Sequence, residues 1–308
     1  MTETSKPVTP EDATRLMRLS VQASVVVAIV LIAAKLVAWF YSGSLSLLAT
    51  LVDSCLDLLA ALFSLVAVKR ALSPADAHYR FGHGKFEPLT GLVQAAFLAG
   101  SALFLLFEGI RRIMSPEPLA AFGLGIGIMI FAIAVTGGLW LFQRYVTSRT
   151  GSVAMQAASL HYRADLIVSL SVIASLVLSA IGLRFFDTLF ALGIAAYILY
   201  GVWEIVLQSS QQLLDRELPD SQREDITRLA LQHNKVLGMR DLRTRRSGLT
   251  AFMQLHIELE DELTLLQAHR VGDEVESSLR ERFPDAEIMI RFDAASAVRD
   301  LPKDEQSI

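Results

Sequence analysis

Two pairs of side chains are spaced for joint chemistry. In LVDSCLDLL, Asp53 and Asp57 stand four residues apart, and in LHYRADLIVS, His161 and Asp165 repeat that spacing. Residues four apart share one face of an α-helix, about one turn from each other. The first pair falls in the middle of an apolar run and the second at the opening of another. A carboxylate at bilayer depth is costly unless it is paired or hydrated, so acids placed there mark ion or proton pathways. If the two helices adjoin, three carboxylates and one imidazole converge on a point, a four-coordinate oxygen and nitrogen set suited to tetrahedral zinc.

Other polar groups are less specific. Lys35 lies within the first apolar run and reads as a snorkelling or interhelical side chain. Cys55 is about 200° around the helix from Asp53 and packs away from the acids. The segment SPADAHYRFGHGKFEP offers Asp76, His78 and His83 as oxygen and nitrogen ligands, or as a solvated turn. His256, His269 and Asp293 fall on a predicted strand, helix and strand, and their scatter carries no metal signature of its own.

The elements that must position these residues follow from composition. The chain has 308 residues, 53% hydrophobic, and a mean hydropathy of +0.44, which makes a bilayer the solvent for part of it. Its single cysteine excludes internal disulfides and multi-cysteine metal sites, and a net charge of −4 argues against a nucleic-acid partner. The polar start MTETSKPVTPEDATRLMRLS has no apolar core or cleavage site, so no removable signal peptide is expected. A transmembrane helix needs about 20 mostly apolar residues. Six runs fit, near 19–42, 45–68, 88–107, 122–142, 165–183 and 188–207.

Six crossings put both termini on one side. If that side is cytoplasmic, its segments hold Lys6, Arg15, Arg18, Lys69, Arg70, Arg80, Lys85, Arg144, Arg149 and Arg163, against Arg111, Arg112 and Arg184 opposite, so cytoplasmic termini are expected. The predicted organisation is a cytoplasmic tail over 1–18, a six-helix membrane bundle over 19–210, a cytoplasmic domain over 211–295 and a flexible tail over 296–308. The third part turns charged from LLDRELPDSQRED onward. Its apolar periodicity predicts α-β-β-α-β, with the first two strands joined near Ser247 and Gly248, a small open sheet with helices on one face.

DxxxD in the second run and HxxxD in the fifth, with FGHGK between them and LLDRELP, DLRTR, FMQLHIELED and QAHRV after them, resemble the cation diffusion facilitator family over residues 19–293. The resemblance implies a homodimer, each subunit having six membrane helices and a metallochaperone-like cytoplasmic domain. It implies that Asp53, Asp57, His161 and Asp165 form the transport site, in the form associated with zinc and cadmium. Asp76 and His83 match two ligands of the family's loop site, whose third position is Tyr79 here; the neighbouring His78 substitutes only if the loop shifts. Lys85 and Asp215 match a charge interlock near the dimer interface, and Leu160 an apolar gate. His256, His269 and Asp293 match ligands of a two-metal regulatory site, two further histidine positions of which hold Arg240 and Arg291. A guanidinium has no free lone pair with which to bind a cation, but it can stand in for a metal's charge by pairing with Asp293.

The reading of the whole is a divalent-metal efflux protein of the bacterial inner membrane. It exports Zn2+, or Cd2+ or Fe2+, in exchange for protons by alternating access. Metal ligands must be deprotonated, so arriving protons displace metal. Alternatives are an exporter of Mn, Co or Ni and a non-transporting membrane metal sensor. An intramembrane aspartyl protease fits poorly, because its acids should come from facing helices whereas Asp53 and Asp57 share one.

Overall fold

The computed structural model describes residues 10–42, 45–114, 123–180 and 185–299. Lys6 and Arg184 of the charge argument, and positions 300–308 of the expected tail, lie outside them. The chain divides into two compact units, Met1–Ser210 and Gln211–Ile308.

The first unit is helical: α1 (Pro10–Ser42), α2 (Leu45–Ala71), α3 (Phe86–Met114), α4 (Gly123–Thr150), α5 (Val153–Ala180) and α6 (Phe185–Leu213). Five of these, all but α5, are long and apolar enough to cross a membrane by length and composition. In α5 the charged pair His161 and Asp165, with Arg163 between them, dilutes the apolar run, yet its 28 residues are enough to span. Large side chains such as Phe40, Phe97, Phe104 and Trp203 stand exposed on the helices, as suits a solvent of lipid tails.

Two helices start earlier than the apolar runs suggest. Helix α1 opens at Pro10, with Glu11 and Asp12 in its first turn, a proline and acids placed where the free N–H groups and helix dipole favour them. Helix α5 begins at Val153 rather than 165. Gly151, at φ 62°, breaks α4, and Ser152 Oγ accepts from the Met155 N–H, restarting a helix at once. His161 and Asp165 therefore sit inside α5 and not at its opening.

Between helices the contacts are small residues and paired polar groups, the usual adhesives where lipid removes the hydrophobic drive. Ala95 and Ala102 of α3, Ala157 and Ala164 of α5, and Ile194, Ile198 and Ile205 of α6 form one buried cluster. Gln143 of α4 donates to Ser24 of α1 at 2.8 Å, and Gln94 of α3 to Ser64 of α2 at 3.0 Å. Glu87 Oε1 accepts from the Val153 N–H at 3.0 Å, satisfying a free donor at the start of α5.

The second unit runs α7 (Asp220–Leu231), β1 (Gly238–Ser247), β2 (Thr250–Leu259), α8 (Leu265–Arg282), β3 (Ala286–Ala294) and α9 (Ala295–Arg299). The predicted α-β-β-α-β order is therefore the observed one, with α9 as a short addition at the head of the expected tail. The sheet order is β1-β2-β3; β1 and β2 are antiparallel, β2 and β3 parallel through the α8 crossover. The hairpin turns at Gly248, φ 61°. Thr264 and Gln267 make a capping box that fixes where α8 starts. Met253, Leu255 and Ile257 alternate along β2 and pack with Ile226 of α7 and Val271, Val275 and Leu279 of α8, so the helices cover one face and Gln254 and His256 occupy the other.

Candidate metal site

Helix α2 carries Asp53 and Asp57, and α5 carries His161 and Asp165. The close fit of α5 to its neighbours depends on absent side chains. A Cβ on Gly91 of α3 would come within 3.1 Å of Val153, and one on Gly201 of α6 within 2.6 Å of Leu160. This packing holds His161 Nε2 at 3.3 Å from Asp57 Oδ1 and 3.5 Å from Asp165 Oδ2. All three ligand atoms lie within 4.8 Å of one another. Nε2 is buried with no aligned hydrogen bond. The edge of a tetrahedron with metal–ligand bonds of ~2.0–2.1 Å is ~3.3–3.4 Å, so the two separations from His161 fit ligands of one small cation.

Asp53 stands outside that trio. It is exposed and lines a cavity of about 130 Å³ together with Lys35, Ser54, Asp57, Thr136 and Asp165. It sits one helical turn from Asp57, ~6 Å along the axis, on the side of that cavity. Asp57 also lines a second cavity of about 70 Å³, with Ser24, Ser64, Gln94 and His161. The trio stands between the two spaces.

Sequence spacing singles out this trio but not its setting. Tyr162 is buried, packs its ring edge-on at 5.2 Å from His161 and lines both cavities, yet as the residue next to a histidine it has no spacing signal. Lys35 donates to Ser54 Oγ at 2.6 Å and to the Thr50 carbonyl at 3.1 Å, an interhelical clasp at the rim of the first cavity. Cys55 is exposed. Leu160 rests on Gly201 with its side chain partly buried.

In the loop between α2 and α3, Asp76 Oδ1 accepts from the backbone N–H groups of Tyr79 and His78, both at 2.8 Å. These bonds hold its carboxyl below the usual range. Its other oxygen is 3.4 Å from His83 Nε2, a buried nitrogen with no aligned hydrogen bond, while Nδ1 lies 3.3 Å from the Pro74 carbonyl. Asp76 and His83 thus meet. The Tyr79 ring covers His83 at 4.8 Å, and His78 reaches Asp76 through its backbone with its side chain exposed.

In the second unit, Arg240, His256 and Arg291 lie directly opposite one another across β1, β2 and β3. Asp293 Oδ2 accepts from Arg240 Nη2 at 2.6 Å, Arg240 Nε at 3.1 Å and His256 Nδ1 at 2.8 Å. Burial opposes ionisation of Asp293, but these bonds and the guanidinium charge outweigh it and hold the carboxyl below its ordinary value. Arg291 is looser, 3.8 Å from Oδ1 and largely exposed. His269 is not brought to His256 and Asp293: it lies on the solvent stripe of α8, 3.9 Å from Asp273, because the stripe with Ala268, Val271 and Val275 is the one that packs. Lys85 precedes α3, and Asp215 follows α6 at φ 55° with its carboxylate 3.4 Å from Arg245.

Residues 21–214 match the cation efflux transmembrane domain, and 218–295 the cation efflux protein cytoplasmic domain. The chain is 45% identical over 284 residues to the cation-efflux pump FieF of Yersinia enterocolitica, covering 92% of this chain and 95% of that one. It is 43% identical to FieF of Klebsiella pneumoniae over the same extent. Among solved structures it is similar to the zinc form of CzrB, 28% identical over 27% of this chain and 94% of that one, TM-score 0.26. It is also similar to the nickel form of the MamM C-terminal domain, 22% identical over 25% of this chain and 98% of that one, TM-score 0.24.

Proposed function

The chain belongs to the cation efflux family, and from that premise we propose that it exports zinc from the bacterial cytoplasm across the inner membrane, as a homodimer with cytoplasmic termini, in exchange for protons. It is a cation-efflux pump of the FieF type, a transporter and not a hydrolase. One observation carries the choice of ion and site: a single imidazole nitrogen at 3.3 and 3.5 Å from two carboxylates on adjoining membrane helices. Imidazole with carboxylates suits zinc.

The residues supply the coupling themselves. Nε2 has one lone pair, which holds either a proton or a metal ion. A proton there leaves an imidazolium between Asp57 and Asp165; its loss frees three ligands at once, and Asp53 is placed to add a fourth. Asp57 faces both cavities, so a small tilt of α2 against α5 exchanges the side to which the ion is open, as alternating access requires.

The dimer is supported by the match of the second unit to the family's cytoplasmic domain. Here Arg240 occupies Asp293 where a metal would otherwise be drawn, so we assign this domain an assembly role that does not wait for zinc. Zinc flux into sealed, dye-loaded proteoliposomes tests the whole proposal. Absence of flux under a proton gradient would leave a non-transporting sensor in its place.

A further inference from the structure

On the far side of α5 from the metal site lies a cavity of about 500 Å³ between α4, α5 and α6. Its wall carries two cations, Arg144 of α4 and Arg163 of α5. Neither has a carboxylate within ion-pair distance among the described residues. Each guanidinium lies over an aromatic face instead, Arg144 at 5.7 Å from the Trp140 ring and Arg163 at 5.0 Å from that of Tyr197. Arg163 is two residues from both His161 and Asp165, hence ~200° around the helix from each. So α5 presents a cation site on one face and unpaired positive charge on the other.

The cavity sits toward the α4–α5 turn, where basic side chains and amphipathic aromatics mark a membrane boundary. Gln156 and Ser159 of α5 add neutral hydrogen-bonding groups. One acid, Glu204 of α6, also lines the space, with the Tyr200 hydroxyl as its hydrogen-bonding neighbour. Exposed Leu141, Trp203 and Leu207 continue along α4 and α6 as an apolar surface. Two guanidiniums match a phosphodiester, which accepts from both at once. A carboxylate left over matches an ammonium, and the flanking apolar surface matches acyl chains.

We propose that this cavity binds the headgroup of a phosphoethanolamine lipid, its phosphate at Arg144 and Arg163 and its ammonium at Glu204. Leu160 and Gly201 line the same space, so the lipid braces α5 against α6 beside the helix face that bears the metal ligands. A phosphoglycerol lipid satisfies the arginines but leaves Glu204 facing a second anion. Basic pockets between membrane helices hold lipid headgroups through this chemistry.

The test uses full-length protein with Trp39→Phe and Trp203→Phe, leaving Trp140 as the reporter, in phosphatidylcholine nanodiscs doped with brominated phosphatidylethanolamine or brominated phosphatidylglycerol. Both lipids carry the phosphodiester that the arginines bind, so only the ammonium at Glu204 separates them. One such charge contact enriches a lipid on the order of five-fold, and the ethanolamine lipid should quench Trp140 well beyond the glycerol lipid at equal doping. Arg144→Gln with Arg163→Gln should lower quenching by both lipids, and Glu204→Gln should bring the two lipids level, with gel-filtration elution unchanged. The lysine pair Arg144→Lys with Arg163→Lys should keep part of the quenching. Equal quenching by both lipids in the parent, or lipid quenching that is undiminished in the arginine pair, overturns the proposal. If inorganic phosphate added to detergent-solubilised protein shifts Trp140 emission saturably and blocks lipid quenching, the ligand is the free anion and the lipid assignment fails.

Discussion

Arg240 closes on Asp293 with two nitrogens on one oxygen, at 2.6 Å and 3.1 Å. A fixed guanidinium thus fills the electrostatic role that a bound cation plays among carboxylates, and it is not released by a chelator. The unit from about 211 to 299, which has its own core, should therefore dimerise equally with and without zinc. Analytical ultracentrifugation with EDTA and then with zinc checks this; two zinc ions bound per chain, with dimers only when they are bound, would refute it.

The same pair makes a stability prediction. Arg240→Ala removes two of the three hydrogen bonds on a carboxylate whose side chain is only 11% exposed and leaves it to His256, and losing a hydrogen bond to a charged group costs about 2 kcal/mol. The Asp293 carboxyl is held low in the folded domain, so its contribution is complete above the unfolded carboxyl value near pH 4 and is lost as pH falls through the lowered folded value. Urea midpoints for parent and Arg240→Ala should differ at pH 7 and converge in acid.

Asp57→Ala and Asp165→Ala each remove one charged ligand of the proposed site without touching the second unit. Flux should fall to background while gel filtration still reports a dimer. Near-normal zinc flux from either purified variant would mean that these acids are not where the ion binds.

His161→Asp replaces the only nitrogen in the set. An all-carboxylate site favours harder or larger ions that accept more oxygen ligands, and the group that ordinarily titrates near neutrality is gone. Initial rates for zinc, cadmium and manganese between about pH 5.5 and 8 should show a changed ion ranking and a displaced midpoint. A variant that keeps both would move the coupling role to the aspartates alone.

In the loop, Asp76 and His83 offer two ligands, half a zinc shell. Asp76→Ala should remove the weakest class of zinc binding in a calorimetric titration of the full-length protein and leave the tightest class and the flux intact. Loss of the tightest class would place the principal site in the loop.

Local periodicity carried much of this into the sequence. Two i,i+4 pairs suffice to put Asp53 with Asp57 and His161 with Asp165 on one stripe each, and the alternating segment around Met253, Leu255 and Ile257 is legible as a strand. What periodicity misses is set by tertiary neighbours. The clasp of Lys35 on Ser54 depends on how α1 crosses α2, and Tyr162 belongs to the site because α5 turns that residue toward Ser24 as well as Asp57. The early start of α5 hinges on one φ angle at Gly151, which hydropathy does not register. His269 enters only through the family resemblance, and its exposed place on α8 follows from which stripe of that helix packs.

The sheet order leaves β1 at an edge, and that strand carries Arg240, Arg243, Arg245 and Arg246. An open strand edge is a template for pairing with any other extended chain, and rows of like charge are the common protection against it. During synthesis the membrane helices emerge before the small domain. Charge of this density is suited to keep the newly made sheet from recruiting stray strands, so Arg240, the partner of Asp293, also belongs to a guard on that edge.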